Sequence, residues 1–184
     1  SNELCQFEDL LCSLVYPLRN ALMYRSAIMS AYRDPLTGIN NRAAMDKFLP
    51  REIGLAKRHD HHLSMMIMDL DGFKAINDQY GHDAGDRLLQ TVCAKIIGVL
   101  RDTDMLFRYG GDEFVVALPY TNIEGAKDAA QRILHSIRNL SANESPGQVS
   151  IGISIGLSML QDQDDFQVLF KRVDKALYQA KLGG

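Results

Sequence analysis

Two short strand-like runs, about 104–109 and 113–118, flank a Gly-Gly pair, Gly110-Gly111, that is followed at once by two adjacent acids, Asp112 and Glu113. Apolar segments joined by so short a glycine-containing turn have few options other than an antiparallel hairpin. One strand pair is therefore fixed, and the rest of the chain has to supply its neighbours. A second run, "LSMMIMDL" at 63–70, is short, apolar and followed by Asp71-Gly72, the pattern of a buried strand ending in a turn. A third, "VSIGISIGLSML", alternates as a strand does, with Gly152 and Gly156 marking a bulge or a close backbone approach.

Helical periodicity fills the gaps. Asn41 is a candidate N-cap for a helix over 42–58. Leu88, Leu89, Val92, Cys93, Ile96, Ile97 and Leu100 form one apolar stripe, and Ile123, Ala126, Ala130, Ile133, Leu134 and Ile137 form another over 122–139. A closing helix spans about 166–182, and "SANESPGQ" reads as a polar loop. The order strand–helix–strand–strand–helix–strand predicts an α+β fold: a mostly antiparallel central sheet covered by helices, of the ferredoxin-like type also seen in nucleotide-cyclase palms.

Residues 4–32 read as one long helix ahead of this unit, with Leu11, Leu14, Leu18, Ala21, Ile28 and Tyr32 spaced for a helix–helix seam. Pro17 and Arg25 interrupt the series. A paired stalk and a helix folded back on its own domain both remain open. The turn formers of "RDPLTGINNR" stop this helix, so the division falls into 1–33, a stalk or signalling helix, and 34–184, the main domain.

Charge and composition exclude some functions. Net charge is -3 and pI about 5.9, which argues against a nucleic-acid binder dependent on broad positive charge. No run of eighteen apolar residues crosses a membrane, and there is no signal peptide. Cys5, Cys12 and Cys93 are odd in number and lack CxxC spacing, as expected in a reducing cytosol, with room for a membrane anchor upstream. Cys5 and Cys12 fall on one helix face as apolar contacts, an interchain disulfide or metal role being the alternative. The methionines of 65–68 are core filler, since thioether sulfur is a soft ligand among hard acids.

The acids carry the chemistry. Asp69 sits at the end of the first strand, Asp71 lies two residues on, and Asp112 and Glu113 lie at the hairpin tip. If strand and hairpin are neighbours, carboxylates converge at one sheet end, where their repulsion calls for a hard cation such as Mg2+ or Mn2+ and, through it, phosphates. The glycines can take positive φ and let a triphosphate approach bare backbone. Residues 71–89 add Lys74, a point charge for phosphate, and Asn77, His82, Asp83 and Asp86. Asn and Asp together can read a guanine edge, although Asp83 or Asp86 equally suits a helix N-terminus.

Five blocks, "DPLTGINNR", "MDLDGFKAINDQYGHDAGD", "RDTDMLFRYGGDEF", "VSIGIS" and "VDKALYQAK", resemble in content and order the GGDEF family of diguanylate cyclases, over about residues 33–184. The resemblance implies condensation of two GTP into cyclic di-GMP and two pyrophosphates within a two-fold homodimer. It implies that Asp69, Asp112 and the Leu70 carbonyl ligate two divalent ions, with Asp112 accepting the proton of the attacking hydroxyl and Glu113 supporting the site. Lys74 and Lys181 would meet phosphate, with backbone N–H groups of Phe73 and Lys74; Asn77, His82 and Asp86 would surround guanine and ribose. Arg108 would order the hairpin or neutralise charge. Arg101 and Asp104 match the family's RxxD site, at which cyclic di-GMP inhibits. A catalytically silent domain that senses GTP or cyclic di-GMP is the alternative reading. The family's last block usually continues with an arginine just past the position of Gly184, so that residue is not in this sequence.

Overall fold

The computed structural model describes residues 13, 15–21, 23, 31–138, 140 and 151–183. A five-stranded sheet lies at its centre. Strand β1 is Asn40–Asn41, helix α1 Arg42–Arg58, β2 Leu63–Asp71, α2 Phe73–Tyr80 and α3 His82–Ile97. There follow β3 Met105–Arg108, β4 Glu113–Pro119, α4 Ile123–Arg138, β5 Gly152–Met159 and α5 Phe166–Gly183. The sheet order is β1-β3-β4-β2-β5, antiparallel except for the β1–β3 pair. Setting aside β1, this is the ferredoxin-like arrangement that the element order predicts.

Strand alternation divides the core into two layers. Met66, Met68, Leu70, Phe114 and Val116 face α2, α3 and α4, where they pack with Phe73, Leu88, Val92 and Ile133. Met65, Ile67, Val115 and Ala117 face α1 and α5, where they meet Met45, Leu49, Val173 and Leu177. The three methionines of β2 are thus all core, split between layers. At Gly156 a Cβ would overlap the backbone of Val173 and Leu177, so this position sets how closely α5 lies on β5.

Asn41 caps α1 as expected, its side-chain oxygen accepting from the Ala44 N–H at 3.0 Å. Two elements were not legible. The two-residue β1 gives no periodicity to read, and α2, only eight residues long, lies within a segment read as a connection between elements. The N-cap of α3 is Gly81, so neither Asp83 nor Asp86 caps it; Asp83 lies in its first turn.

Within the expected N-terminal helix, Ser13, residues 15–21, Met23 and Ala31 are helical, while Tyr32 of the seam lies in a turn and packs against Phe48; Leu11, Leu14 and Ile28 of the seam, Cys5 and Cys12, and the loop 141–148 lie outside the described residues. Cys93 is buried, and burial, followed by the charge of Asp34, pushes its thiol up to about 11. Among the described residues no helix is long and apolar enough to cross a membrane.

Candidate active site at the end of the sheet

The register fixes the acids. Asp69, two residues before the end of β2, stands directly opposite Glu113, the first residue of β4. Directly paired residues share a sheet face, so both side chains lie on the α5 side with Met65 and Ile67. The ladder continues one step further, with the Leu70 N–H donating to the Asp112 carbonyl at 3.4 Å. Asp69, Leu70, Asp112 and Glu113 are therefore neighbours by backbone pairing rather than by loop placement. Lys181, near the end of α5, holds Asp69 in an ion pair at 2.8 Å.

One lysine does not neutralise three acids. Asp112 is pushed above the ordinary carboxylate value by burial and then by the charge of Asp69, with Lys181 and Arg108 opposing. Glu113 is raised for the same leading reasons, burial and then Asp69, with Lys181 opposing and Asp112 and Asp174 adding repulsion. A hard cation would relieve this excess. Among the described residues no three His, Cys, Asp or Glu side chains form a ready-made metal group. The donor set still fits Mg2+, which takes one or two carboxylates and completes its shell with water and substrate phosphate.

Asp71 stands apart from this group. Its carboxylate accepts from the Ser154 hydroxyl at 2.7 Å and packs over Gly152, so it is bound to β5.

The glycines act through space rather than backbone strain. Neither Gly110 nor Gly111 has positive φ, contrary to the expectation for the turn. A Cβ at Gly110 would come within 2.8 Å of Glu113 Oε2, so the missing side chain makes room for the carboxylate; at Gly111 nothing lies within 4 Å. The turn is held from outside. Arg108 Nε and Nη2 donate to the Gly111 carbonyl at 3.1 and 2.7 Å, while Nη1 donates to both carboxylate oxygens of Asp34 at 3.0 and 3.2 Å. Thr37 donates to Asp34 through both its N–H and its hydroxyl. Arg108 thus orders the hairpin, and its partner Asp34, from "RDPLTG", was assigned no role in the sequence. Its only signal was an Asp-Pro turn, which says nothing of a contact 74 residues away.

On the opposite face of the same sheet end, α2 packs against α3. The side-chain oxygen of Asn77 is buried there without a hydrogen-bond partner. A Cβ at Gly85 would overlap that oxygen, so Gly85 opens the space it occupies. Lys74, His82 and Asp86 are exposed around it. Helix α2 starts from Gly72 in the left-handed region (φ 76°) with no side-chain cap, which leaves the first-turn amides of Phe73 and Lys74 available for an anion.

Arg101 and Asp104 lie at the far end of β3, across its four residues from the glycine turn. Asp104 Oδ2 accepts from the Arg101 N–H at 2.8 Å, and its Oδ1 is buried without a partner. The Arg101 side chain lines a cavity of about 900 Å³ with Gly125, Asp128, Arg132 and His135 of α4.

The sequence profile described as "Diguanylate cyclase, GGDEF domain" matches residues 31–184. The chain belongs to the GGDEF diguanylate cyclase family. This GGDEF domain is 36% identical over 154 residues to the diguanylate cyclase DgcP of Pseudomonas aeruginosa, covering 84% of this chain and 23% of that one. To DgcS of Shewanella oneidensis it is 36% identical over 171 residues, covering 93% and 56%. The chain therefore spans only about a quarter to just over half the length of these relatives. Among solved structures, the coiled coil and GGDEF domain of DgcB from Caulobacter crescentus, in complex with c-di-GMP, matches with a TM-score of 0.87 at 26% identity, over 100% of this chain and 96% of that one. The diguanylate cyclase SiaD of Pseudomonas aeruginosa, in complex with its activator SiaC, gives 0.80 at 30% identity, over 100% and 71%.

Proposed function

We propose that this domain condenses two GTP into cyclic di-GMP and two pyrophosphates, as the names of its relatives suggest. The observation that carries the reading is the register that brings Asp69 beside Asp112 and Glu113. Asp69, Asp112 and the Leu70 carbonyl would hold two Mg2+ or Mn2+ ions, whose chemistry when bound is to neutralise phosphate charge and activate the attacking hydroxyl. The amides of Phe73 and Lys74 and the ammonium of Lys74 hold the triphosphate, and Lys181 turns from Asp69 toward phosphate. Asn77 meets the guanine edge with its unpartnered oxygen, Asp86 accepts from the guanine N–H donors, and His82 lies near the ribose.

Each bond is made between two copies. The 3′-oxygen of one nucleotide attacks the α-phosphorus of the other, the bond to pyrophosphate breaks, and the hydroxyl proton passes to Asp112. One domain holds one GTP, so closing both bonds requires two domains facing each other about a two-fold axis. Residues 1–33 serve as the stalk that brings them together, and 34–184 as the catalytic unit, in the cytoplasm. Cyclic di-GMP inhibits by binding Arg101 and Asp104, where Arg132 on the same cavity wall offers a second guanidinium for phosphate. The intact acids disfavour a silent sensor.

The deciding assay is GTP with Mg2+ and identification of the product by mass spectrometry, on protein assembled as a dimer. Cyclic di-GMP is the expected product; its absence under those conditions would overturn the enzymatic reading.

A further inference from the structure

One carboxylate at the strand end is claimed by two cations. The ammonium of Lys181 stands 2.8 Å from Asp69 Oδ2, on the acid that the metal reading also needs. Asp69 is only 15% exposed and is fixed by the strand register. The Lys181 side chain is 39% exposed and extends from the last turn of α5. Its charge reaches the other two acids as well, opposing the burial and repulsion that raise Asp112 and Glu113. An ammonium in contact with Asp69 repels any ion seated on the same carboxylate. The two partners differ in freedom to leave. Asp69 cannot move without its strand, whereas Lys181 lines an open cavity with Glu113, Asp174 and Tyr178 and can swing on its stem.

We infer that Lys181 competes with divalent cations for Asp69, so that the metal site opens fully only when nucleotide phosphate draws the ammonium away. The inference rests on the placing of metal and phosphate in the cyclase reading above. Lysine suits the role as a compact charge on a flexible chain. Mg2+ gives up its water reluctantly and takes only one or two carboxylates, so it gains little by displacing an ammonium unaided. A triphosphate changes both sides of that balance. It offers Lys181 another anion, and it supplies the oxygens that complete the shell of the ion. Cation affinity is therefore low without nucleotide and rises with it. By linkage, nucleotide affinity rises by the same factor when the cation is present. Lys181 thus couples the two loadings, and the exposed acid end does not collect divalent ions ahead of its substrate.

The test is Mn2+ binding to the full chain without nucleotide, with the free ion read by electron paramagnetic resonance. Lys181→Met and Lys181→Gln are expected to bind Mn2+ about three- to tenfold more tightly than wild type, the range for releasing Asp69 from a partly exposed charged contact. Lys175→Met removes an exposed charge from the same cavity wall but leaves the Asp69 pair in place. It is expected to stay within about twofold of wild type, since exposed charges out of contact are screened. Asp69→Asn is expected to lose the binding. Unchanged or weaker Mn2+ binding in both Lys181 variants overturns the inference. An equal gain in Lys175→Met overturns it too, because the effect is then one of general charge. Mn2+ binding that survives Asp69→Asn also overturns it, since the ion then sits elsewhere. Synthesis of cyclic di-GMP by wild type is scored separately. If wild type makes none and the Lys181 variants still gain affinity, the cyclase reading falls and the competition stands; if wild type is active and the gain is missing, only the competition falls.

Discussion

Asp69 and Glu113 stand opposite one another in the central strand pair, and the Lys181 ammonium pairs with Asp69 at the site they share with Asp112. Acids gathered this way oppose folding unless a cation joins them.

The sign of that opposition is testable. Asp112 and Glu113 bind protons more tightly folded than unfolded, so their penalty is present at neutral pH and eases as pH falls toward their raised values. Asp112→Asn is expected to raise the melting temperature of cation-free protein while abolishing turnover. Mg2+ is expected to stabilise wild type, by about 2.7 kcal/mol at a hundredfold excess over Kd, and to stabilise the variant less. A variant less stable than wild type in EDTA would show that the acids are not in conflict.

The Asp34–Arg108 pair makes an independent case. Both side chains are only 15% exposed, and Arg108 carries the Gly111 carbonyl with its other nitrogens. Asp34→Ala leaves that guanidinium without its anion and Thr37 without its acceptor, a cost of about 1–3 kcal/mol in urea unfolding. Turnover is expected to fall further than stability alone accounts for, because the turn preceding Asp112 loses its anchor. Equal kcat in the folded variant would separate the clamp from the chemistry.

Acid pH acts on different residues. At Asp34 burial would raise the carboxyl, but hydrogen bonds from Thr37 and the Arg108 guanidinium outweigh it and hold it below the ordinary 3.8. Asp164 behaves likewise, burial being outweighed by Arg172 and the Gln161 N–H. A depressed carboxyl stabilises the fold above its unfolded value, and that contribution disappears as pH falls through the folded one. Stability is expected to drop below about pH 4, with a shallower acid limb in an Asp34→Asn, Asp164→Asn double variant. Identical limbs in chemical denaturation across that range would refute the assignment.

Arg101→Ala is expected to relieve inhibition by added cyclic di-GMP while leaving the initial rate intact, since Arg101 lies a strand's length from the acids. Unchanged inhibition in that variant would remove the RxxD site from the account.

Two glycines predict opposite phenotypes from the same added methyl. At Gly85 it displaces the Asn77 side chain, so Gly85→Ala is expected to weaken GTP binding with modest loss of stability. At Gly156 it meets the backbone of α5, so Gly156→Ala is expected to cost about 1–3 kcal/mol or more. A Gly85→Ala protein with wild-type affinity for GTP would show that the α2–α3 junction is not the guanine site.

Most of the fold was legible because its elements are long and periodic. The helices over 42–58, 122–139 and 166–182, and the strand from 63, fall within about a residue of their observed bounds. What was not legible depends on tertiary contact. Helix α2 is too short to show a period, β1 exists only through its pairing with β3, and the Asp34–Arg108 contact joins distant segments. Asp69, Asp112 and Glu113 do lie together at one sheet end, whereas Asp71, grouped with them from the sequence, is held by β5, and which acid faces Asp69 was decided by register. The expected positive φ of the glycine pair did not occur, because Glu113 needed space there rather than a reversed backbone.

The seven ladder pairs that run from Leu63–Pro119 to Asp69–Glu113 have a further consequence. A slip of one residue in β2 would turn Asp69 into the apolar layer and present Leu70 to Lys181. An insertion or deletion within this strand would therefore damage folding and chemistry in one stroke. The distance along β2 from Met65 to Asp69 is therefore fixed by two demands at once.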